Sequence, residues 1–229
     1  MRTRNIARPA AAGALCFAIT GAGAEAALAQ AETPLPTPEP SAQAVQAPRI
    51  GVRHRKLDVR SGDRAAVAGR VAPGVRGIPI SLQVRRGPGW KRIDRDRTDA
   101  AGRYRLRERL RRTGSARVRV RVEGGPGVKP GKRVIGRLNV YRVTHASWYG
   151  PGLYGNTTGC GGTLRTGRLG VAHKSLPCGT MVTFKHGGRS VRVPVIDRGP
   201  YIAGREYDLT AATAQRLGFE GHGAILTTH

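Results

Sequence analysis

The chain has 229 residues, room for one large domain or two small ones, and 40 Lys/Arg against 14 Asp/Glu give it a net charge of +26. A field of that sign concentrates polyanions at the protein surface. The one sustained apolar run, Ala10 to Ala24, is too short for a membrane span.

The first residues read as a targeting segment. Arg2, Arg4 and Arg8 form a positive start, the apolar run follows, and Ala27-Leu28-Ala29 supplies an A-x-A cleavage site. Residues 1–29 are therefore expected to be a signal peptide, and the chain is expected to be exported to the periplasm or cell wall. Cys16 follows Leu15 rather than a small residue and still lies within the signal, so no lipid anchor is expected. Residues 30–48 hold five prolines and no aromatic residue and read as a disordered linker.

Residues 49–142 carry 28 Lys/Arg against 7 Asp/Glu, a net of +21. Strand signals recur at short intervals. Ile78, Ile80, Leu82 and Val84 alternate with polar or small neighbours, as do Val118, Val120 and Val122 with Arg117, Arg119 and Arg121. Tyr104, Leu106 and Leu110 take the parity opposite the odd-numbered arginines from Arg103 to Arg111. Side chains two apart share a sheet face, so the apolar set is expected inside and the arginines outside. About seven strands separated by Gly/Pro turns predict a small antiparallel β-sandwich, Ig-like or transthyretin-like. No acid, nucleophile or metal cluster is apparent there, which suits a binding or spacing module.

Residues 143–229 have a net charge of only +5. Strands are expected at 146–149, 169–173, 181–185, 190–196 and 224–228. One short helix is expected over 210–217, capped by Thr210 and stopped by Gly218. Cys160 and Cys178 are the two cysteines left after signal removal, and an even count in an oxidising compartment suggests a disulfide closing a loop of about eighteen residues, worth ~3 kcal/mol. Two unpaired thiols are the alternative; neither cysteine belongs to a C-x-x-C pair, so no metal site is expected. Gly150, Gly152 and Gly155 spell G-x-G-x-x-G, but no β-α-β unit surrounds them and no cofactor is expected.

Several side chains here could carry chemistry. Asp197 ends an apolar run and precedes Arg198-Gly199-Pro200, where it could face a groove or simply pin the turn. Asp208 precedes the helix, where capping explains it almost as well. His173 ends the Leu169–Ala172 run; it could be a packed residue, polarise a hydroxyl, or orient Asp197. Trp148, Tyr149, Tyr154 and Tyr201 offer flat apolar faces for sugar rings, or core filling.

Four strings occur in order: Ala146-Ser147-Trp148-Tyr149-Gly150, Ala172-His173-Lys174-Ser175-Leu176-Pro177, Asp197-Arg198-Gly199-Pro200 and Tyr207-Asp208-Leu209-Thr210. In sequence and spacing they resemble the double-psi β-barrel of the rare lipoprotein A (RlpA)-like family, over roughly the last third of the chain. The resemblance implies a six-stranded barrel and a peptidoglycan lytic transglycosylase that protonates a glycosidic oxygen and leaves an anhydro-muramyl end. It implies catalytic roles for Asp197, Asp208 and His173, with Asp197 the first choice as proton donor, and substrate contacts for Trp148, Tyr149, Tyr201 and Arg198. The chain departs from the family at Gly162, where a glutamate is expected eleven positions before the histidine; residues 155–196 contain no Asp or Glu. A non-catalytic, expansin-like polysaccharide binder is the competing expectation. Peptidoglycan glycan strands are the expected partner, with anionic wall polymers or lipid headgroups for the basic segment. Nucleic acid is not expected, since charge alone favours it and no nucleic-acid fold motif is present. A monomer is expected.

Overall fold

A computed structural model describes residues 44–229; the expected signal peptide, Cys16 and linker residues 30–43 lie outside the described residues. At the linker's end, Gln46 forms a bridge to Val128 through backbone hydrogen bonds of 3.0 Å (to Gly127) and 2.8 Å (from Lys129). The described chain is all-β apart from one short helix. Its first strands are β1 (Arg49–Lys56), β2 (Asp58–Arg60), β3 (Arg64–Ala72), β4 (Pro79–Arg86), β5 (Gly89–Arg97), β6 (Arg103–Arg109) and β7 (Gly114–Val122). They are followed by β8 (Gly131–Tyr149), β9 (Val171–His173), β10 (Met181–His186), β11 (Arg189–Asp197), β12 (Tyr207–Thr210), α1 (Ala211–Leu217) and β13 (Gly223–Thr227).

Strands β1, β3 and β6 form a three-stranded antiparallel sheet. Strands β5, β4, β7 and the first half of β8 form a second antiparallel array, with β2 parallel to β8. The period-two pattern explains both. Val67, Val71, Tyr104 and Leu106 of the first sheet and Ile80, Leu82, Val118, Val120 and Val122 of the second are buried in one hydrophobic cluster. The arginines between them take the other face: Arg103, Arg105, Arg107, Arg109 and Arg117 are exposed, whereas Arg119 and Arg121 are partly covered, Arg119 by Gln83 and Trp90. Strand β5 has too few apolar residues for the pattern to reveal it; it is held at the sheet edge by its pairing with β4.

Strand β8 is 19 residues long and crosses position 142 without a break. Its first half pairs with β7, and its second half with β13 and β12. From there the strands close in the order β8, β12, β9, β11, β10, β13 and back to β8, a six-stranded ring. Two of its pairings, β8 with β12 and β9 with β11, are parallel, and the others are antiparallel. Its core contains Ala146, Val171, Val182, Phe184, Val193, Val195, Tyr207, Leu209 and Ile225, with Leu217 and Phe219 from the helical side. Helix α1 begins where expected: the Thr210 hydroxyl accepts the N–H of Thr213 at 3.3 Å, and Gly218 adopts the left-handed conformation that ends it.

Candidate active site on the barrel

Three neighbouring strands set the positions of the acidic residues. Asp197 on β11 lies beside Ala172 on β9, Ala172 lies beside Asp208 on β12, and Asp208 lies beside Ser147 on β8. Residues paired across a sheet share a face, so Asp197, Asp208 and Ser147 look the same way, and Tyr149, two residues beyond Ser147, joins them. The two carboxylates are thus about two strand spacings apart, roughly 10 Å between Cα atoms.

Their surroundings differ. Asp197 Oδ1 accepts the backbone N–H groups of Gly159 at 2.7 Å and Arg198 at 2.8 Å, and Oδ2 accepts the Tyr149 hydroxyl at 3.1 Å. Both oxygens act as acceptors, so the carboxyl is held by three donors. A side chain at position 159 would bring its Cβ within 2.9 Å of Arg198 Cγ and 3.1 Å of Asp197 Oδ1, so glycine is what lets this loop reach the acid. Asp208 Oδ1 accepts one hydroxyl, from Ser147 at 2.9 Å. Burial raises its pKa and the charge of Asp197 adds to that, while the Ser147 bond and Arg205 oppose it. The Tyr149 phenol is pushed up by burial and then by the charge of Asp197, so it keeps its proton and donates.

The loop before β9 faces this pair. Cys160 and Cys178 form the expected disulfide, with Cα atoms 5.6 Å apart, tying the loop to the β9–β10 connection. Gly162 has φ +79°, a conformation that favours glycine, and a Cβ there would meet Arg168 Nη1 at 3.2 Å. That guanidinium is fixed by hydrogen bonds to the carbonyls of Thr163 at 2.8 Å and Gly161 at 3.2 Å. A cation, rather than a carboxylate, faces position 162.

His173 does not join the two aspartates. It pairs with Tyr207, one residue away from the Ala172–Asp208 pair, and so takes the opposite face of the sheet. Its ring lies 4.9 Å from that of Tyr207, its Nε2 is 3.8 Å from Glu206, and its Nδ1 accepts the N–H groups of Ser175 and Leu176 at 3.1 and 3.0 Å. Burial lowers its pKa and so favours the neutral ring, against the pull of the Glu206 carboxylate. Glu206 is bonded by Arg142 (Nη1 to Oε2, 2.8 Å) and by Thr144. Burial would raise its pKa, but those hydrogen bonds together with the charges of Arg142 and His173 outweigh it and lower the pKa.

The other expected contacts are dispersed. Arg198 donates to the carbonyls of His173 at 3.2 Å and Leu176 at 2.8 Å and to Cys178 Sγ at 2.9 Å, bracing the loop. Trp148, on the parity opposite Tyr149, lines a separate cavity of about 470 Å³ with Tyr154, Phe219 and α1. Tyr201 is 81% exposed on the loop after Asp197. Among the described residues, no three His, Cys, Asp or Glu side chains gather as a metal site would require. Sequence reasoning missed Ser147, Glu206, Arg142 and Arg168; Ser147 and Glu206 stand beside residues it chose, but their partners are distant in the chain.

Residues 142–228 match the family model described as lytic transglycolase. A protein of Aquifex aeolicus named probable endolytic peptidoglycan transglycosylase RlpA is 38% identical over 97 residues, covering 42% of this chain and 43% of its own length. A protein of the same name from Synechocystis is 44% identical over 80 residues, covering 34% of this chain and 25% of its own. The endolytic peptidoglycan transglycosylase RlpA of Campylobacter jejuni is 43% identical over 74 residues, covering 31% and 27%. The matched segments thus span less than half of each relative. With the closed six-strand ring and the four motifs in place, the segment 142–228 belongs to the RlpA-like double-psi β-barrel family.

Proposed function

We propose that the barrel acts on peptidoglycan glycan strands as an endolytic lytic transglycosylase, with Asp208 as proton donor and Asp197 as its ionised partner. The observation that carries this reading is the contrast between two acids on one face: three donors bond Asp197, whereas Asp208 is half-buried with a raised pKa and a single hydroxyl partner. A carboxyl group whose pKa burial raises is suited to give a proton and take it back. Asp208 gives its proton to the bridging oxygen as the C1–O bond breaks. The muramyl C6 hydroxyl then bonds to C1 and returns its proton to the Asp208 carboxylate, so no water is consumed. The charge of Asp197 steadies the positive character that develops at C1. Tyr149 positions Asp197, and Tyr201, exposed on the loop after it, extends the sugar contacts. His173 supports the sheet from behind through Glu206.

The same reading takes the chain to be exported, with residues 1–29 removed, and to work as a monomer. Residues 49–142 serve as an Ig-like or transthyretin-like sandwich that holds the barrel near an anionic wall polymer or headgroup layer. A non-catalytic, expansin-like binder is the second reading. It is favoured by Gly162 and the Arg168 guanidinium that faces it. Incubating the protein with purified sacculi and analysing the soluble fraction by mass separates the two. The enzyme releases anhydromuropeptides, and Asp208→Asn cuts release ~100-fold or more while retaining sacculus binding. Binding by wild type with no release above background leaves the binder.

A further inference from the structure

The outer face of the three-stranded sheet has a composition that neither the barrel nor the core accounts for. Strand β6 presents Arg103, Arg105, Arg107 and Arg109 along one side. The central strand β3 presents Ala66 and Ala68 in the middle, opposite Arg107 and Arg105, with Arg64 and Arg70 at its two ends. Strand β1 presents Lys56 opposite Ala66 and His54 opposite Ala68. The result is a shallow trough with an alanine floor, a rim of four arginines on one side and a lysine and a histidine on the other. Its rims are two strand spacings apart, roughly 10 Å.

Among the described residues, the side chains of this face are little paired with acids: Arg103 is the one cation of the face in an ion pair, with Asp99 at 2.8 Å. Asp94 and Asp96 bond the backbone N–H groups of Arg107 at 2.6 Å and Arg105 at 2.7 Å, covering the open edge of β6, and Glu108 takes the opposite face of that strand. Like charges in file repel, and a fold that needed only solubility would intersperse signs. The guanidinium fork suits phosphate oxygens.

We propose that this trough is a binding track for a linear polyol-phosphate polymer, lying along β6 with successive phosphodiesters on successive arginines. The pitch fits. Alternate residues of a strand are about 6.8 Å apart. They are separated by six backbone bonds, as are the phosphorus atoms of a glycerol-phosphate chain, so the two extended repeats are comparable. The face carries no Phe, Tyr or Trp, the side chains on which nucleobases stack, which favours a base-free polymer over single-stranded nucleic acid. The alanine floor lets the backbone of such a polymer approach without steric cost. The inference is independent of what the barrel carboxylates do.

The test measures binding of the full chain to fluorescently labelled poly(glycerol phosphate) at low and moderate salt. Wild type should bind and weaken as salt rises. The triple variant Arg105→Gln, Arg107→Gln, Arg109→Gln should lose ~10-fold or more in affinity. A charge-matched control with Arg86, Arg92 and Arg95 changed to Gln, on the other array, should lose less than ~3-fold. Ala66→Glu, which keeps every arginine but puts a carboxylate in the floor, should also weaken binding, with melting temperatures confirming that each variant folds. Equal losses in the triple variant and its control would overturn the track in favour of a diffuse field. Absent binding at low salt would overturn it, as would tighter binding to oligo(dT), or binding only to phosphatidylglycerol vesicles.

Discussion

The strands before position 142 and the barrel after it solve different problems with the same element. In the first region, charge and apolarity are separated by strand parity alone: Leu106 is fully buried while Arg105 and Arg107 on either side are exposed. In the barrel, the partners that other strands bring decide what each polar group meets. Glu206 and Asp208 flank Tyr207, yet one is bonded by Arg142 and Thr144 and the other stands beside Ser147 near Asp197. A strand's outer face thus takes its character from what the neighbouring strands supply: a file of cations over alanines in one sheet, two carboxyls and a serine in the next.

The first region is most easily broken from within. Leu106→Ala should cost about 2–5 kcal/mol, read by denaturant unfolding, because the site is enclosed by both sheets. In the barrel, replacing Cys160 and Cys178 together by Ser should cost ~3 kcal/mol by loop entropy and loosen the loop that bonds Asp197 through Gly159.

The two carboxylates beside Tyr207 should give opposite pH signatures. Asp208 has a raised pKa in the folded state, so its contribution is fully present below the ordinary value of 3.8 and is lost as pH rises through the folded value. Asp208→Asn should therefore melt higher than wild type at neutral pH, with the gap closing in acid. Glu206 has a lowered pKa, so its contribution is present above the ordinary value of 4.5 and lost as pH falls through the folded one. Glu206→Gln should melt lower at neutral pH and match wild type in acid. Smallest of all, Arg105→Gln should change stability by no more than about 0.5 kcal/mol in either direction, since its side chain is exposed and forms no ion pair among the described residues.

Much of this was legible in the sequence where the signal was local. The alternation in β4, β6 and β7 gave the buried faces, and Thr210 and Gly218 gave both ends of α1, because parity and capping act within a few residues. Strand β12 was harder. Its four residues stood out as a motif, but its strand character comes from parallel pairing with β8 some sixty residues earlier. The same remoteness hid the length of β8 and the face of His173. The Leu169–His173 run shows an apolar stretch ending in a histidine; only the register with β12 turns that ring toward Tyr207 and Glu206 rather than toward Asp197. Asp197 and Asp208 were recognisable as a pair of candidates. How differently the two are bonded was not, because the Gly159 and Tyr149 donors to Asp197 come from distant loops and strands.

At the centre of the site is an Asp208 carboxyl that burial and the neighbouring Asp197 poise to give a proton. Carboxyl-carbon NMR titration of Asp208, in wild type and in Asp197→Asn, tests it most directly. The account predicts a midpoint above 3.8 in wild type and a lower midpoint once the charge of Asp197 is removed. A wild-type midpoint at or below 3.8, or one indifferent to Asp197→Asn, would contradict it.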